Sequence, residues 1–281
     1  MEHMAASNQK EKALQFRRFH EGPPILVLPN AWDAASARLF EQAGARAIAT
    51  TSSGVAAALG YPDGEHISRE MMIEAVARIT RVVDCPVTVD SEAGYGATID
   101  EVCQTIRAVI ETGAVGINIE DSRRGPGRAL ADVERQVELI KALRELARSM
   151  DIPFVINART DAFLLKVENA FEQAVQRLNA YRQAGADCLF AIGVSDAETI
   201  GKLAQAINGP LNVVGGPPAP PIAELARLGV ARVSLASGLM RAALAHLRRV
   251  MRELLEQGTY TTMAGEMLTG AELQGLFVDR T

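Results

Sequence analysis

The stretch PVTVDSEAGYG, residues 86–96, joins a short apolar run to a group of acids and glycines. Its first four residues are typical of a fully buried strand, and the run ends abruptly in an acid, with a second acid two residues on. The next apolar run, GINIED at residues 116–121, ends in the same way. Crowded carboxylates usually hold a proton or a cation. If the two strands are neighbours, the pattern predicts a divalent-metal site among Asp90, Glu92, Glu120 and Asp121.

Length and composition narrow the class of protein. A chain of 281 residues with 48% hydrophobic residues can bury a large core. The net charge of −5 argues against a general nucleic-acid binder, which needs basic patches. No run approaches the roughly 20 apolar residues of a membrane span, and no signal-peptide core is present at the amino terminus. We therefore expect a cytoplasmic protein, and this agrees with the unpaired spacing of Cys85, Cys103 and Cys188.

Apolar runs that end in small or polar residues alternate with segments of helical spacing along the whole chain. Strands are predicted at residues 25–30, 47–52, 86–90, 116–121, 154–160, 188–193, 211–216 and 232–237. Helices are predicted at residues 34–43, 68–83, 99–112, 130–150, 167–184, 196–207, 220–228 and 239–257. Strict alternation means parallel strands joined by crossover helices. Eight such units without a Rossmann-type glycine fingerprint predict a (β/α)8 TIM barrel, with a doubly wound open sheet as the alternative.

No linker or charge block divides the chain, so we predict a single domain over residues 1–281. Within residues 1–22 we expect a helix from about residue 10, which caps the bottom of the barrel. Residues 258–281 remain after the eighth unit and carry apolar side chains for which a closed barrel has little room. We predict that this helical tail packs on a neighbouring subunit.

Catalytic groups of such barrels lie at the carboxyl ends of the strands. The acids there have no His or Cys beside them, and oxygen-only ligands favour Mg²⁺ or Mn²⁺ over Zn²⁺. We predict Asp90, Glu92 and Glu120 as ligands. Arg159 would then be free to clamp a substrate carboxylate with its two-pronged donor geometry. The alternative is purely structural: Asp90 and Glu120 form ion pairs with Arg159 inside the barrel mouth.

Two further strand ends are candidates for substrate binding. The turn Thr51-Ser52-Ser53-Gly54 offers backbone N–H groups and hydroxyls for a second anionic group or a developing oxyanion. Read as a simple turn into a helix, the same segment would have no such role. Asn212, in the seventh predicted strand, completes the predicted substrate-binding set with Asp90 and Arg159.

Several common chemistries are disfavoured by where reactive residues fall. A Schiff-base aldolase needs a lysine at a strand end, and none of the lysines falls there: Lys10, Lys12, Lys141, Lys166 and Lys202. Cys85 and Cys188 begin strands, at the wrong end of a barrel, and Cys103 lies in a helix. Only His66 among the histidines falls in a loop that could approach the site, and a surface position is its simpler interpretation.

Five motifs in fixed order carry a family resemblance. They are TSSG at 51–54, GYPD at 60–63, VDSEAGYG at 89–96, IED at 119–121 and NARTD at 157–161. With them, residues 24 to 250 resemble the isocitrate lyase and phosphoenolpyruvate mutase superfamily. The resemblance implies a Mg²⁺-dependent enzyme that acts on a small 2-oxo acid or dicarboxylate through an enolate-like intermediate. It also implies a helix-swapped barrel in a dimer of dimers, and so a homotetramer.

The resemblance also implies roles for individual residues. Asp90 would ligate the metal directly, whereas Asp63, Glu92 and Glu120 would act mostly through metal-bound waters. Arg159 and the turn at 51–54 would hold the substrate. The implied catalytic residues are Arg159, Glu120 and Asp63.

One departure from the superfamily lies in the loop after the Glu-Asp pair. The lyase branch carries a cysteine there that delivers a proton and the mutase an asparagine, whereas this chain has SRRGPGRA at 122–129. Arg123, Arg124 and Arg128 form either a closing lid or a short solvated loop. Three alternatives to a C–C lyase therefore stay open: a phosphonate mutase or hydrolase, a non-catalytic 2-oxo-acid-binding protein, and a phosphosugar enzyme using Gly215, Gly216 and Ser237.

Overall fold

The strands form one parallel sheet that curls into a barrel. The structure, a computed structural model, describes residues 2–122, 127–265 and 267–278. Within these residues the strands are β1 Leu26–Leu28, β2 Asn30–Ala31, β3 Ile48–Thr50, β4 Val87–Asp90, β5 Gly116–Glu120, β6 Val155–Thr160, β7 Cys188–Ala191, β8 Leu211–Val214 and β9 Val230–Ser234. Their order in the sheet is β1-β9-β8-β7-β6-β5-β4-β3-β2.

The segments β1 and β2 are two parts of one barrel strand. They are separated by Pro29, which has no N–H to give to the ladder, although its carbonyl accepts a hydrogen bond of 2.9 Å from the Ala49 N–H. β1 pairs with β9 and β2 pairs with β3, so this strand closes the sheet on both sides. The predicted (β/α)8 TIM barrel is confirmed, and an open doubly wound sheet is excluded.

Helices follow the strands in the predicted alternation. In the described residues they are α1 Glu2–Arg18, α2 Ala34–Gln42, α3 Ser52–Ala58, α4 Arg69–Val82, α5 Ile99–Glu111, α6 Val133–Ser149, α7 Ala170–Ala184, α8 Ala197–Ala206, α9 Ile222–Arg227, α10 Gly238–Gln257, α11 Thr261–Ala264 and α12 Gly270–Gly275. None of them combines the length and the apolar composition needed to span a bilayer.

Two further elements differ clearly from prediction. The helix α3 was expected only as a turn, because seven residues are too few to show a helical period. The last strand was placed at 232–237 but spans Val230–Ser234. Gly229 has a φ of 90° and turns the chain straight into it. At the other end, the Gly238 N–H donates to the Leu235 carbonyl over 2.8 Å, which begins the turn into α10.

Alternation along β5 shows how the barrel positions the site. Ile117 and Ile119 belong to the apolar layer between strands and helices, whereas Asn118 and Glu120 alternate with them and lie on the opposite face. All four are buried. Asn118 accepts a hydrogen bond of 2.7 Å from Asn157 of β6 across that inner face. The barrel interior is therefore polar, and its upper rim is where the acids project.

The helix α1 closes the amino-terminal end of the barrel. Phe16 is fully buried beside Gly116, where an added Cβ would lie 3.0 Å from its ring. His20 follows α1, stacks edge-on against Phe16 with ring centroids 4.8 Å apart, and is 4% exposed. Its Nδ1 lies 2.8 Å from the Phe16 carbonyl and its Nε2 lies 3.5 Å from Nη1 of the buried Arg232. The neutral ring with the proton on Nδ1 satisfies both neighbours, because it donates to the carbonyl and accepts from the guanidinium.

We expect this buried imidazole to make the fold sensitive to acid. Burial and the neighbouring Arg232 charge lower the pKa of His20 from 6.5 to about 3. Between these two values the unfolded chain binds a proton that the folded chain excludes, so this contribution to stability is full above pH 6.5 and falls as the pH drops. The free energy of unfolding should lose about 3 kcal/mol by pH 4. Denaturant titrations should show a flatter pH dependence for His20→Gln, and the exposed His66→Gln is the control; equal slopes for all three proteins would contradict this.

The helix α10 makes few contacts with its own barrel. Met240 is buried at its start, whereas Leu247 and Leu255 are 54% and 77% exposed. Part of the tail beyond α10 packs on the same chain. Leu276 is buried, its carbonyl accepts a hydrogen bond of 2.6 Å from Arg38 Nε, and Phe277 packs on the apolar cluster that contains Ala37. The expectation that the whole tail packs on a neighbouring subunit is therefore wrong for Leu276 and Phe277, because α2 offers them a partner surface in the same chain.

Candidate active site

Asp90 lies at the carboxyl end of β4, where Ser52 links it to a second acid. The Ser52 N–H donates to Asp90 Oδ2 over 3.1 Å, and the Ser52 hydroxyl donates to Asp63 Oδ1 over 3.1 Å. The Asp90 N–H donates to Thr50 Oγ1 over 2.9 Å, which ties the end of β4 to β3. One serine at the start of α3 therefore holds two carboxylates that are 27 residues apart in sequence close to the same point.

Glu92 is buried beside these two acids in a strained loop. It has a φ of 50°, unusual for a residue with a side chain, and its carboxylate accepts hydrogen bonds of 3.1 and 3.0 Å from the Glu65 N–H. The Tyr95 hydroxyl donates to it over 2.9 Å. Burial, and then the charges of Asp90 and Asp63, raise the pKa of Glu92 to about 7. The three carboxylates are therefore within electrostatic reach of one another.

The carboxylates of Asp63, Asp90 and Glu92, called the acid group below, have the charge and the oxygen donors that suit a divalent cation. Mutual repulsion among Asp63, Asp90 and Glu92 is relieved when a cation settles between them, and carboxylate oxygens are the ligands that Mg²⁺ prefers. Among the described residues, however, no three His, Cys, Asp or Glu side chains lie close enough together to form a metal-binding group by themselves. An ion held here would therefore leave several ligand positions to water, as Mg²⁺ commonly does.

Glu120 ends β5 and points to Arg159 of β6, with which it is paired in the sheet register. Arg159 Nη1 lies 2.8 Å from Glu120 Oε2, and Arg159 Nε lies 2.7 Å from Asp161 Oδ1. The arginine is 3% exposed, and its Nη2 has no hydrogen-bond partner among the described residues. Glu120 thus forms the ion pair with Arg159 that the structural alternative includes, whereas no ion pair joins Asp90 to Arg159 in the described part of the chain.

The turn at 51–54 uses part of its donor capacity within the protein. Thr51 is the N-cap of α3 and its Oγ1 accepts a hydrogen bond of 3.4 Å from the Gly54 N–H. The Ser52 N–H is taken by Asp90. Gly54 is required by packing, because a Cβ there would lie 2.9 Å from that of Trp32. The Ser52 hydroxyl is engaged by Asp63, so in the described part of the chain the N–H and hydroxyl of Ser53 are what this turn can offer to a ligand.

Asn212 is the second residue of β8 and lies inside the barrel. The register Arg159↔Phe190↔Asn212 places it level with Arg159 across β6, β7 and β8. It is fully buried, and its side-chain amide and the Ser234 hydroxyl face each other over 3.4 Å. The strand predicted at residues 211–216 already has Asn212 as its second residue, but the sequence could not show that Ser234 faces it.

The inward polar layer beneath the acids was not recognised in the sequence. Asn118 Oδ1 accepts hydrogen bonds from Asn157 Nδ2 over 2.7 Å and from Arg232 Nη2 over 3.1 Å. Arg232 is fully buried, and burial lowers its pKa to about 10. The period-2 alternation of polar residues in GINIE, VINART and VARVS was the available signal.

From the sequence, Arg128 was expected to belong, with Arg123 and Arg124, to either a closing lid or a short solvated loop. Those two arginines lie outside the described residues. Arg128 itself contacts Asp161 through Nη2 and donates to the Ser122 hydroxyl over 3.1 Å. Its guanidinium is directed at the network around Arg159, not at the acid group.

Comparison with known proteins identifies the family. The family model for phosphoenolpyruvate phosphomutase matches residues 16–255. The chain belongs to the phosphoenolpyruvate phosphomutase family. The resemblance inferred from the five motifs is confirmed, and with it the prediction of a lyase-type enzyme of the isocitrate lyase and phosphoenolpyruvate mutase type.

Individual members of the family differ in the reaction for which they are named. The 2-methylisocitrate lyase of Escherichia coli K12 is 32% identical over 273 residues, which cover 93% of this chain and 90% of that protein. A Burkholderia cenocepacia J2315 structure, provisionally classed as a lyase/mutase, superposes with a TM-score of 0.89 and 37% identity over 97% of both chains. The structure of 2,3-dimethylmalate lyase superposes with a TM-score of 0.82 and 28% identity over 94% of both chains.

Proposed function

We propose that the chain is a Mg²⁺-dependent lyase that cleaves a bond next to the carbonyl of a small 2-oxo acid or dicarboxylate and passes through an enolate. The observation that carries this proposal is the Arg159 guanidinium, buried at the barrel mouth with Nη2 lacking a partner among the described residues. A buried N–H donor of a charged group is costly unless something accepts from it. A substrate carboxylate is the natural acceptor for it.

The neighbouring acids complete the proposed chemistry. We assign Asp90 as the direct metal ligand, with Asp63, Glu92 and Glu120 acting mainly through water. Mg²⁺ bound there would supply Lewis-acid stabilisation of the negative charge that develops on the 2-oxo oxygen. Asp161 and Glu120 orient Arg159, and Arg159 fixes the substrate carboxylate so that this oxygen faces the acid group. The Ser53 hydroxyl and N–H meet the far end of the substrate, whereas the Ser52 hydroxyl holds Asp63.

A specific observation also supports a second candidate, phosphonate chemistry. The matching family model is that of phosphoenolpyruvate phosphomutase, and both reactions need an enolate of a 2-oxo acid to be stabilised. The lyase hypothesis is favoured by two similar proteins, the 2-methylisocitrate lyase of E. coli and 2,3-dimethylmalate lyase, because both are named as lyases of carboxylic acids. The sequence 122–129 lacks the cysteine of the lyase branch, so the substrate of this chain need not be theirs.

A substrate panel tests the proposed function. Purified protein with Mg²⁺ should release a 2-oxo acid product from oxaloacetate or from one of a series of 2-alkylmalates, and EDTA should abolish the reaction. Phosphonopyruvate followed by ³¹P NMR tests the phosphonate alternative. Ligand-induced thermal stabilisation without any product would instead support a non-catalytic binding protein. No turnover and no stabilisation across the panel, at saturating Mg²⁺, would refute the proposal.

We propose that α10 is exchanged between two subunits and that two such dimers form a tetramer. Its apolar side chains are exposed, and so is Val27 of β1, at 40%, in a groove of about 390 Å³ that also involves Ile25 and Phe40. In a regular barrel the eighth helix would cover this face. Light scattering after size exclusion should report a tetramer, and Leu247→Glu should reduce the assembly. A monomeric wild-type protein would contradict the exchange.

We propose that the protein works in the cytoplasm and takes small anions as partners, not nucleic acid or membrane. The net charge of −5 disfavours a polyanion, while local arginines suit a small one. All three cysteines are free thiols, as in a reducing compartment. Cell fractionation would test the location.

A further inference from the structure

Asp161 is shared between two arginines, and each of its oxygens serves a different one. Oδ1 accepts from Arg159 Nε over 2.7 Å. Oδ2 accepts from Arg128 Nη2 and from the Ser122 hydroxyl. The carboxylate is fully buried. The two oxygens therefore accept from different donors. This division determines which N–H groups of Arg159 remain without an acceptor.

The arrangement of N–H groups in a guanidinium explains why it matters which donor takes each Asp161 oxygen. Nε and Nη2 of an arginine form one fork, which normally grips both oxygens of a carboxylate. Arg159 uses only the Nε prong on Asp161, and Nη2 stays without a hydrogen-bond partner among the described residues. The second prong has no oxygen to take, since Arg128 and Ser122 occupy Oδ2. Without them, Arg159 and Asp161 would complete the fork and remove Nη2 from the site.

The residues around Asp161 are fixed independently of Arg159. The Asp161 N–H donates to Asp121 Oδ1 over 2.9 Å, and Asp121 Oδ2 accepts from the Tyr181 hydroxyl over 2.8 Å. The Ala131 N–H donates to the Asp121 carbonyl over 2.7 Å. Ser122 forms a β-bridge with Leu130, so the chain on either side of Arg128 is anchored at the end of β5. Arg128 therefore reaches Oδ2 from a braced position.

We propose that Arg128 is a positioning residue that keeps Arg159 Nη2 available for the substrate by occupying Asp161 Oδ2. Arg128 contacts neither the acid group nor the reacting atoms; it acts through Asp161. The inference rests on the proposed function in one respect, namely that the open prong of Arg159 binds a substrate carboxylate. In this proposal Arg128, in the segment after β5, determines which N–H groups Arg159 of β6 can donate to a substrate.

Oxalate, a planar dicarboxylate that resembles the enolate, tests the proposal by calorimetry in the presence of Mg²⁺. Arg128→Ala should raise the Kd for oxalate about tenfold, the size expected when one charge-assisted hydrogen bond is lost. Arg128→Lys should stay within about threefold of the wild type, because an ammonium can still occupy Oδ2.

The decisive variant is the double substitution Arg128→Ala with Asp161→Asn. An asparagine can accept from Arg159 Nε with its one oxygen, but its nitrogen cannot accept from Nη2. Adding Asp161→Asn to Arg128→Ala should therefore improve oxalate binding, whereas two merely structural losses would accumulate. Arg135→Ala, which removes a nearby exposed arginine that does not contact Asp161, is the matched control. Thermal denaturation verifies that each variant is folded.

The outcomes separate this inference from the proposed function. If Arg159→Ala binds oxalate like the wild type, or if the wild type does not bind it, the proposed function fails. If Arg159→Ala loses binding while Arg128→Ala keeps it, or if the double variant is weaker than Arg128→Ala, the positioning role fails. A crystal structure of Arg128→Ala gives a ligand-free readout: the proposal requires Arg159 Nη2 to turn onto Asp161 Oδ2, and an unmoved guanidinium overturns it.

Discussion

Asp90→Asn should abolish Mg²⁺-dependent turnover, with a fall in kcat/KM on the order of 10³ or more. A metal that absorbs the charge of a developing enolate contributes several kcal/mol to transition-state stabilisation, and each 1.4 kcal/mol is a factor of ten. Asparagine keeps the shape and one acceptor oxygen, so the Ser52 N–H retains its partner. The charge that attracts the cation is lost. Turnover measured across a Mg²⁺ titration should reveal the loss, and calorimetry should show weakened metal binding.

The matched control for this substitution is Asp151→Asn. The Asp151 side chain is 85% exposed and pairs only with Lys10 on the surface, so its loss should leave turnover and the Mg²⁺ titration unchanged. If Asp90→Asn retained wild-type activity at the same Mg²⁺ concentration, Asp90 would not be the direct ligand. The assignment would then move to Asp63 or Glu92, which lie beside it.

Most of the fold could be predicted from local patterns, since each barrel unit repeats the same alternation of a buried strand and an amphipathic helix. Where the prediction erred, a single residue changed the backbone. Pro29 interrupts the first strand because it lacks an N–H, and Gly229 starts the last strand two residues early because it accepts a φ of 90°. The exposure of the apolar side chains of α10 was not readable from its periodicity, because a helix whose apolar stripe is uncovered has the same pattern as one that covers its own barrel.

The candidate site was predictable as a set of strand-end acids, but their partners were not. Glu120 and Glu92 both follow buried strands, yet Glu120 faces Arg159 whereas Glu92 turns to the Glu65 N–H. The sheet register decides the first pairing. The positive φ of Glu92 and Glu65 decides the second, and loop geometry of that kind leaves no period in the sequence.

The partner of Arg128 also could not be predicted from spacing along the chain. Three arginines spaced by glycine and proline at 123–128 left two interpretations open, a lid that grips a substrate and a short solvated loop. The side chain of Arg128 instead meets Asp161, which lies 33 residues later, because β5 and β6 end side by side. Proximity across neighbouring strand ends, and not spacing along the chain, therefore sets which charges act together.

Arg159→Lys should lower kcat/KM by about 10² to 10³, even though the positive charge is kept. Arg159 serves two carboxylates at once, with Nη1 toward Glu120 and Nε toward Asp161, and its Nη2 has no hydrogen-bond partner among the described residues. A lysine is a compact point charge without the planar fork, and two buried carboxylates compete for it before any substrate arrives. Steady-state kinetics should show most of the loss in KM if Arg159 only binds the carboxylate. A fall in kcat as well would mean that it also orients the reacting bond.

Arg144→Lys is the matched control, because Arg144 is also a partly buried arginine that pairs with an aspartate, Asp187, and with the Gly185 carbonyl. It lies away from the acid group, so its substitution should lower the melting temperature without a comparable loss of kcat/KM. If Arg159→Lys behaved in the same way, with reduced stability and intact kinetics, the guanidinium would be a structural ion-pair centre. The open Nη2 would then mark a buried water position, and the substrate carboxylate would have to find its donors in the Ser53 hydroxyl and N–H.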